Sequence, residues 1–261
     1  MSSNKFPQER HEVILNHLNQ HGRVSVKDLS GVLQVTEATI RQDLQKLEEQ
    51  GHLHRIYGGA LPIKQTAPQP ELGFDIRMNS NKAEKDAIGQ RAAALVEDGF
   101  GIALDCSTSA CSIVPYISQR IGLTVVTNNL MVAQRMLPFP KIEVLLPRGR
   151  LRRDSNSIVG DPDSLPDINL NIGFFSAWGI SLDEGITEVD AAEMQMKQAM
   201  AALCTSIVIV VDSSKWGKVA PYTFELPQNV DCVITDEGTP ANMVEDFRNA
   251  GIRVEVVPIA R

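Results

Sequence analysis

Beyond residue 100, short apolar runs recur at intervals, and they constrain the fold more than any other feature of the chain. They are GIALD (101–105), LTVVT (123–127), IEVLL (142–146), IGFFS (172–176), SIVIVVD (206–212), DCVIT (231–235) and RVEVV (253–257). Runs this short and this continuously apolar suit strands buried on both faces, and the stretches between them have helical spacing. The pattern predicts an α/β domain with a mostly parallel sheet flanked by helices. Several runs end in polar residues: Asp105, Thr127-Asn128, Asp212 and Thr235-Asp236. In open parallel sheets the ligand crevice lies at the carboxyl ends of the strands, so these positions predict a polar small-molecule pocket.

The first sixty residues follow a different pattern. Phe6, Val13, Ile14 and Leu18 mark one face of a first helix that should stop near Gly22. Ser25 is placed to cap a second helix, with Asp28 reaching back to its amide and Val26, Leu29, Val32 and Leu33 turned inward. Thr36 is placed to cap a third helix ending near Gln50, with Ile40, Leu44 and Leu47 inward and Gly51 in the closing turn. HLHRIYGG (52–59) reads as a hairpin limb. Three short helices and a hairpin make a winged helix-turn-helix, whose third helix offers its first half to the DNA major groove. Thr36, Thr39, Arg41 and Gln42 suit phosphate oxygens and base edges, Arg for guanine and Gln for adenine, with Arg55 and Tyr57 on the wing for the backbone. On pattern alone, a three-helix interaction domain with a solvated polar face remains open.

Charge limits how such a domain would bind DNA. The chain of 261 residues has a net charge of −7. Residues 1 to 60 hold seven Lys/Arg and seven Asp/Glu, so the rest carries the whole excess. DNA contact must come from locally placed cations. All five histidines (His11, His17, His21, His52, His54) lie in the first 54 residues, which excludes a His-ligated metal or a Ser-His-Asp triad from the large domain. Cys106, Cys111, Cys204 and Cys232 lack C-x-x-C spacing and read as buried reduced thiols. The start, MSSNKFPQERHE, has no apolar signal segment and no run reaches membrane-spanning length, so a cytoplasmic protein is expected. No cofactor and no metal are expected.

LPIKQTAPQPELG (61–73) holds three prolines and reads as a semi-extended connector. The expected organisation is a winged helix-turn-helix domain over 6–61 (the motif itself at about 24–43), a linker over 62–75 and a sensing domain over 76–261. EKDAIGQRAAALVEDG (84–99) should open the latter with a helix. In DCSTSACSI (105–113), Ser107, Thr108 and Ser109 precede a helix, as an anion site or as a plain N-cap. Arg148, Arg150, Arg152 and Arg153 surround Gly149 and are placed to clamp a phosphate, to pair with acidic neighbours or to remain solvated. Lys215 follows another strand end, suited to an anion or to Asp212.

Residues 6 to 60 resemble the DNA-binding domain of the DeoR family of transcriptional regulators. The family's T-I-R-R-D-L appears as Thr39-Ile40-Arg41-Gln42-Asp43-Leu44, followed by Leu47, Gly51 and Arg55 through Gly58-Gly59-Ala60. Residues 84 to 257 resemble that family's sensor domain, which is similar in fold to ribose-5-phosphate isomerase and glucosamine-6-phosphate deaminase. The matching stretches are Asp105 to Ser109, Thr127 to Asn129, Arg148 to Arg152 with Ser157 to Gly160, Lys197, and Asp212 to Lys215. The DNA-binding set is then Ser25, Thr36, Glu37, Thr39, Arg41, Gln42, Lys46, Arg55 and Tyr57. The resemblance implies effector contacts at Asp105, Ser107, Thr108, Ser109, Thr127, Asn128, Asn129, Arg148, Gly149, Arg152, Gly179, Lys197, Asp212 and Lys215. Gln42 stands where the family carries a second arginine, while Ser107 and Arg148 stand where it carries glycines. The last two add side chains beside the expected pocket.

The function implied is a repressor of a carbohydrate operon, bound to operator DNA and controlled by a phosphorylated sugar-type effector. Reading paired half-sites requires a homo-oligomer, a dimer or a tetramer. The alternative is a sugar-phosphate isomerase-like enzyme fused to a DNA-binding module. That reading needs a positioned proton carrier, with Asp105, Asp212 or Lys215 as candidates in the absence of histidine.

Overall fold

A computed structural model describes residues 7–21, 24–50, 52–56, 58–61 and 73–259. The expectations for Phe6, Gly22, Gly51, Tyr57 and most of the connector lie outside these residues. The chain divides into two compact units, 1–72 and 73–261.

In the first unit, α1 (Pro7–His21), α2 (Val26–Leu33) and α3 (Glu37–Glu49) surround a core that includes Ile14, Leu18, Leu29, Leu33, Ile40, Leu44 and Leu47. β1 (Val24–Ser25), β2 (His54–Ile56) and β3 (Gly59–Leu61) form an antiparallel sheet in the order β1-β3-β2. The hairpin limb therefore pairs back onto the residues that start α2. Ser25 caps α2, but not in the expected way. Its hydroxyl accepts from the Asp28 amide at 3.0 Å and donates to the Asp28 carboxylate at 2.7 Å, so Asp28 reaches the hydroxyl instead of the Ser25 amide. Val32 is 54% exposed and does not belong to the buried face of α2, which Val26, Leu29 and Leu33 make alone. Thr36 caps α3 by accepting from the Thr39 amide at 3.2 Å.

The second unit begins with α4 (Phe74–Asn79) and α5 (Lys82–Ala93) and continues through β4 (Gly101–Leu104), α6 (Thr108–Cys111), α7 (Val114–Ile117), β5 (Leu123–Thr127), α8 (Leu130–Met136) and β6 (Ile142–Leu145). A hairpin of β7 (Arg150–Arg152) and β8 (Ser157–Val159) precedes β9 (Leu170–Phe175), β10 (Gly179–Ser181), β11 (Gly185–Glu188) and α9 (Ala191–Ala202). The chain ends through β12 (Cys204–Val210), β13 (Tyr222–Glu225), β14 (Cys232–Asp236), α10 (Ala241–Asn249) and β15 (Arg253–Val257). All the apolar runs noted in the sequence enter one sheet, in the order β15-β14-β12-β9-β4-β5-β6. Every pairing in it is parallel. Two hydrophobic clusters pack it, one around Ile88, Ile102 and Phe174 and the other around Phe175, Met196 and Ile209.

The chain runs outward from β4 to β6 and then returns to the opposite side of β4. Strand order therefore reverses between β4 and β9, and the crevice at their carboxyl ends is where this architecture receives ligands. A separate antiparallel sheet, β10-β11-β13, was not foreseen.

Candidate functional site

The outward face of α3 carries Thr36, Glu37, Arg41, Gln42 and Lys46, all exposed, with Thr39 half-buried. Arg41 donates to Glu37 at 2.6 Å one turn earlier. Such an exposed pair contributes at most about 1 kcal/mol, so it does not prevent Arg41 from exchanging partners. The opposite face is fixed by a buried ionic tie absent from the sequence reading. Arg10 of α1 donates from Nε and Nη2 to the two carboxylate oxygens of Asp43, at 2.8 and 3.0 Å, and His11 Nε2 lies 3.2 Å from Oδ1. Asp43 raises the Arg10 guanidinium further above its ordinary value, chiefly through the hydrogen bond and against the effect of burial. The orientation of α3 is thus tied to α1 by a forked, charge-assisted contact. A concavity lined by Arg10, Gln34, Val35, Thr36 and Thr39 opens beside it. On the wing, Arg55 is exposed and its amide donates to Glu48 at 2.8 Å. The Ser25 hydroxyl is occupied by its cap.

In the second unit the strand-end polar residues converge. Asp105, which follows β4, accepts from the Ser107 amide at 2.9 Å and from the Ser176 amide, beyond β9, at 2.8 Å. It therefore bridges the reversal point. Lys197 of α9 lies 2.9 Å from Asp105, donates to the Ser176 carbonyl at 2.6 Å and bonds Glu188. A lysine has three donors, and these partners occupy them. Burial would lower the Lys197 pKa, but Asp105 and Glu188 outweigh it and hold it well above the usual lysine value.

Beside this group, Arg152 bonds Glu193 at 2.9 Å and lies 3.6 Å from Asp190. Of the roles open to the arginines, Arg152 takes the acidic partner. Ser155 and Ser157 also donate to Glu193, Ser157 at 2.8 Å. Burial pushes the Glu193 pKa up, but Arg152 and these hydroxyls bring it below the ordinary value. Arg148 and Gly149 are exposed just before the hairpin. The identity of Gly149 has a backbone cause: a Cβ there would come within 2.4 Å of the Val159 carbonyl oxygen. Gly179 is likewise required by the Lys218 carbonyl oxygen, 2.2 Å from where its Cβ would lie.

Ser107 caps α6, accepting from the Ala110 amide at 3.0 Å. Its φ of −78° is ordinary extended backbone, so serine fits where the family has glycine without strain. Thr127 Oγ accepts from the Asn129 amide, and Asn129 Oδ1 caps α8. The Asn128 side chain donates to the Ile158 carbonyl at 3.3 Å. Asn128 Oδ1 and Asn129 Nδ2 are buried without a hydrogen-bond partner among the described residues. A buried polar atom left unmatched costs roughly 1–3 kcal/mol, so these two atoms favour a group that would engage them. Asp212, beyond β12, accepts from Asn81 at 2.9 Å; its pKa is pulled down by Lys215 and Lys85 against burial. Lys215 is half-buried beside it.

The sequence reading missed Glu188, Glu193, Ser155 and Ser176, the partners that hold this constellation together. No local spacing marks them, since Ser155 and Glu193 are 38 residues apart. Among the described residues no group of three or more His, Cys, Asp or Glu is placed to hold a metal, and no helix is long and apolar enough to cross a membrane.

Comparison with known proteins agrees with both halves. Residues 10–66 match the DeoR-like helix-turn-helix domain, and residues 80–237 match the DeoR C terminal sensor domain. The chain belongs to the DeoR family. A putative aga operon transcriptional repressor of Escherichia coli O157:H7 is 34% identical over 95% of this chain and 93% of that protein. The HTH-type transcriptional regulator GolR of Listeria innocua is 31% identical over 96% of this chain and 99% of its own length. The glycerol-3-phosphate regulon repressor of E. coli K12 is 28% identical over 95% and 98%. As a DeoR-family member the chain is a DNA-binding transcriptional regulator. Among solved structures, ribose 5-phosphate isomerase A of Methanocaldococcus jannaschii aligns over 52% of this chain and 55% of its own, at 16% identity and a TM-score of 0.41.

Proposed function

We propose that this DeoR-family regulator is a cytoplasmic repressor of a carbohydrate operon, and that a phosphorylated sugar-type effector bound at the carboxyl ends of the parallel sheet sets its affinity for DNA. The observation that carries the reading is the burial of Asp105, Thr108, Asn128, Asn129 and Asp212 around the point where strand order reverses. The Thr108 and Ser109 amides and the hydroxyls at Ser107 to Ser109, with Lys215, suit the anionic end of the ligand through charge-assisted hydrogen bonds. Asn128 and Asn129, with their unmatched atoms, suit its hydroxyls. Lys197 and Arg152, already committed to carboxylates, position the site from behind. Thr36, Thr39, Arg41, Gln42 and Lys46 carry the DNA contact, in an oligomer that presents paired heads.

The effector is bound without turnover in this reading. Lys197 stays charged and fully donated, and both Asp105 oxygens accept hydrogen bonds, which leaves neither as an acid–base group. A screen of sugar phosphates by thermal shift, followed by fluorescence anisotropy on duplex DNA selected by the protein, tests the proposal. A phosphate that stabilises the protein and changes its DNA affinity supports it. Stabilisation by no sugar phosphate, or conversion of one to an isomer, contradicts it.

A further inference from the structure

The short helix α4 is the first element of the second unit, and the chain enters it directly from the connector to the DNA-binding head. A six-residue helix has little stability of its own, so what holds it decides its position. Its holders are few and specific. At its start, the Phe74 amide donates to the Asp154 carbonyl at 2.8 Å, and the Phe74 ring is buried in the core. Asp154 sits in the turn of the β7–β8 hairpin, between Arg152 and the Ser155–Ser157 pair that bonds Glu193. Along its length α4 packs on α6, the helix opened by Ser107. At its end, Lys85 donates to the Arg77 and Ser80 carbonyls. One residue beyond Ser80, Asn81 donates to Asp212 at 2.9 Å.

Besides Lys85 of α5, these contacts reach the arginine hairpin, the hydroxyl-rich turn and the end of β12. The last two carry residues of the proposed effector site, and the first carries Arg152, which positions it. Nothing in the sequence singles out 74–81, and α4 lends Phe74 and Met78 to the core beneath the sheet but no residue to the proposed site.

We propose that α4 is the coupling element of this regulator: occupancy of the site changes the footing of Phe74–Asn79, and through it the connector, with the Asp154 carbonyl and Asn81 as the two anchors. The inference rests on the effector reading above and specifies how that site is read out. Asn81 is a positioning residue in this scheme and touches no ligand. Its φ of +50° lies in the left-handed region, which glycine adopts freely. Asn81→Gly therefore keeps the turn and removes only the amide that grips Asp212.

Hydrogen–deuterium exchange of the full chain, with and without a duplex selected by the protein from a random library, tests the scheme without an effector. Coupling is reciprocal, so DNA binding must be felt at α4. The exchange of amides 76–80 should change severalfold on DNA binding. In Asn81→Gly, and in Lys85→Met as a second variant, that change should disappear while the variant still binds the duplex. A second arm adds D-glucose 6-phosphate or sn-glycerol 3-phosphate. A phosphate that shifts wild-type DNA affinity by about 5–150-fold should still bind Asn81→Gly and shift its DNA affinity less than about twofold. Failure of both phosphates to bind the wild type counts against the effector reading, and the exchange arm still decides on α4. Exchange at 76–80 that is indifferent to bound DNA, or a full-sized response in Asn81→Gly, overturns the coupling role.

Discussion

The two units use polar side chains in opposite ways. In the first, the residues suited to contact a partner stand out from a small apolar core, and the Arg41 side chain is 58% exposed. In the second, they are turned inward and, apart from Asn128 Oδ1 and Asn129 Nδ2, largely paired with one another, and the Lys197 side chain is 2% exposed. The difference follows from the size of what is recognised. A DNA groove is read by side chains that protrude into it. A small polar ligand is held by groups kept away from water, where each hydrogen bond counts for more and each unmatched atom costs more. Both units also use a buried ion pair to set direction, Arg10–Asp43 behind the recognition helix and Lys197–Asp105 behind the crevice.

The contrast breaks first, if it is wrong, at those buried ties. Lys197→Met leaves Asp105 and Glu188 buried without their cation, and should destabilise the second unit by about 3–5 kcal/mol. Urea denaturation followed by Trp178 and Trp216, both in that unit, would read this. Asp43→Ala should cost the first unit about 3 kcal/mol, since it removes the buried carboxylate that Arg10 and His11 share, and should lower DNA affinity with it. Arg41→Ala is the sharpening partner. It should leave the unfolding midpoint nearly unchanged yet weaken operator binding by about 1–3 kcal/mol and relax sequence preference at one base. Lys46→Ala should weaken all duplexes alike and reduce the salt slope by about one, measured by anisotropy across a salt series. If Arg41→Ala and Asp43→Ala change folding and binding in the same proportion, the division between protruding readers and buried ties fails.

A pH dependence is expected at Lys85. Burial pushes this lysine down to about 8 against the opposing pull of Asp212, with Lys215 and Arg77 lowering it further and Glu84 raising it. In the unfolded chain an ordinary lysine keeps its proton to about 10.5. Between those values the unfolded state holds a proton that the folded state has released, so stability rises with pH across that window. The stability of wild type relative to Lys85→Met should therefore increase from pH 8 to pH 10, as chemical denaturation at each pH would show.

Local pattern carried much of this structure. The apolar runs predicted the strands of the parallel sheet, since burial on both faces leaves an unbroken signature. Ser25 and Thr36 announced their helices because capping is a contact over three residues. Val32 misled for a related reason: its spacing fits the buried stripe of α2, but an eight-residue helix has room for a narrower one. The ionic ties were illegible. Asp43 looks like one more polar residue on a helix, and only the fold brings Arg10, 33 residues earlier, beside it. Arg152 could be read as a phosphate clamp because Glu193 had no visible relation to it. Long-range pairing leaves no periodicity, and the contacts that join separate segments of the second unit's site, such as Asp105 with Ser176 and Arg152 with Glu193, are long-range.

The proposed effector site and the exposed helix α3 should be thermodynamically linked. Calorimetry measures this most directly, by titrating one responding sugar phosphate into the full-length protein alone and into the protein bound to operator DNA. Two different affinities are expected, separated by the same factor, about 5–150, by which that phosphate changes operator binding. Equal affinities in the two titrations would contradict it, however tightly the phosphate binds.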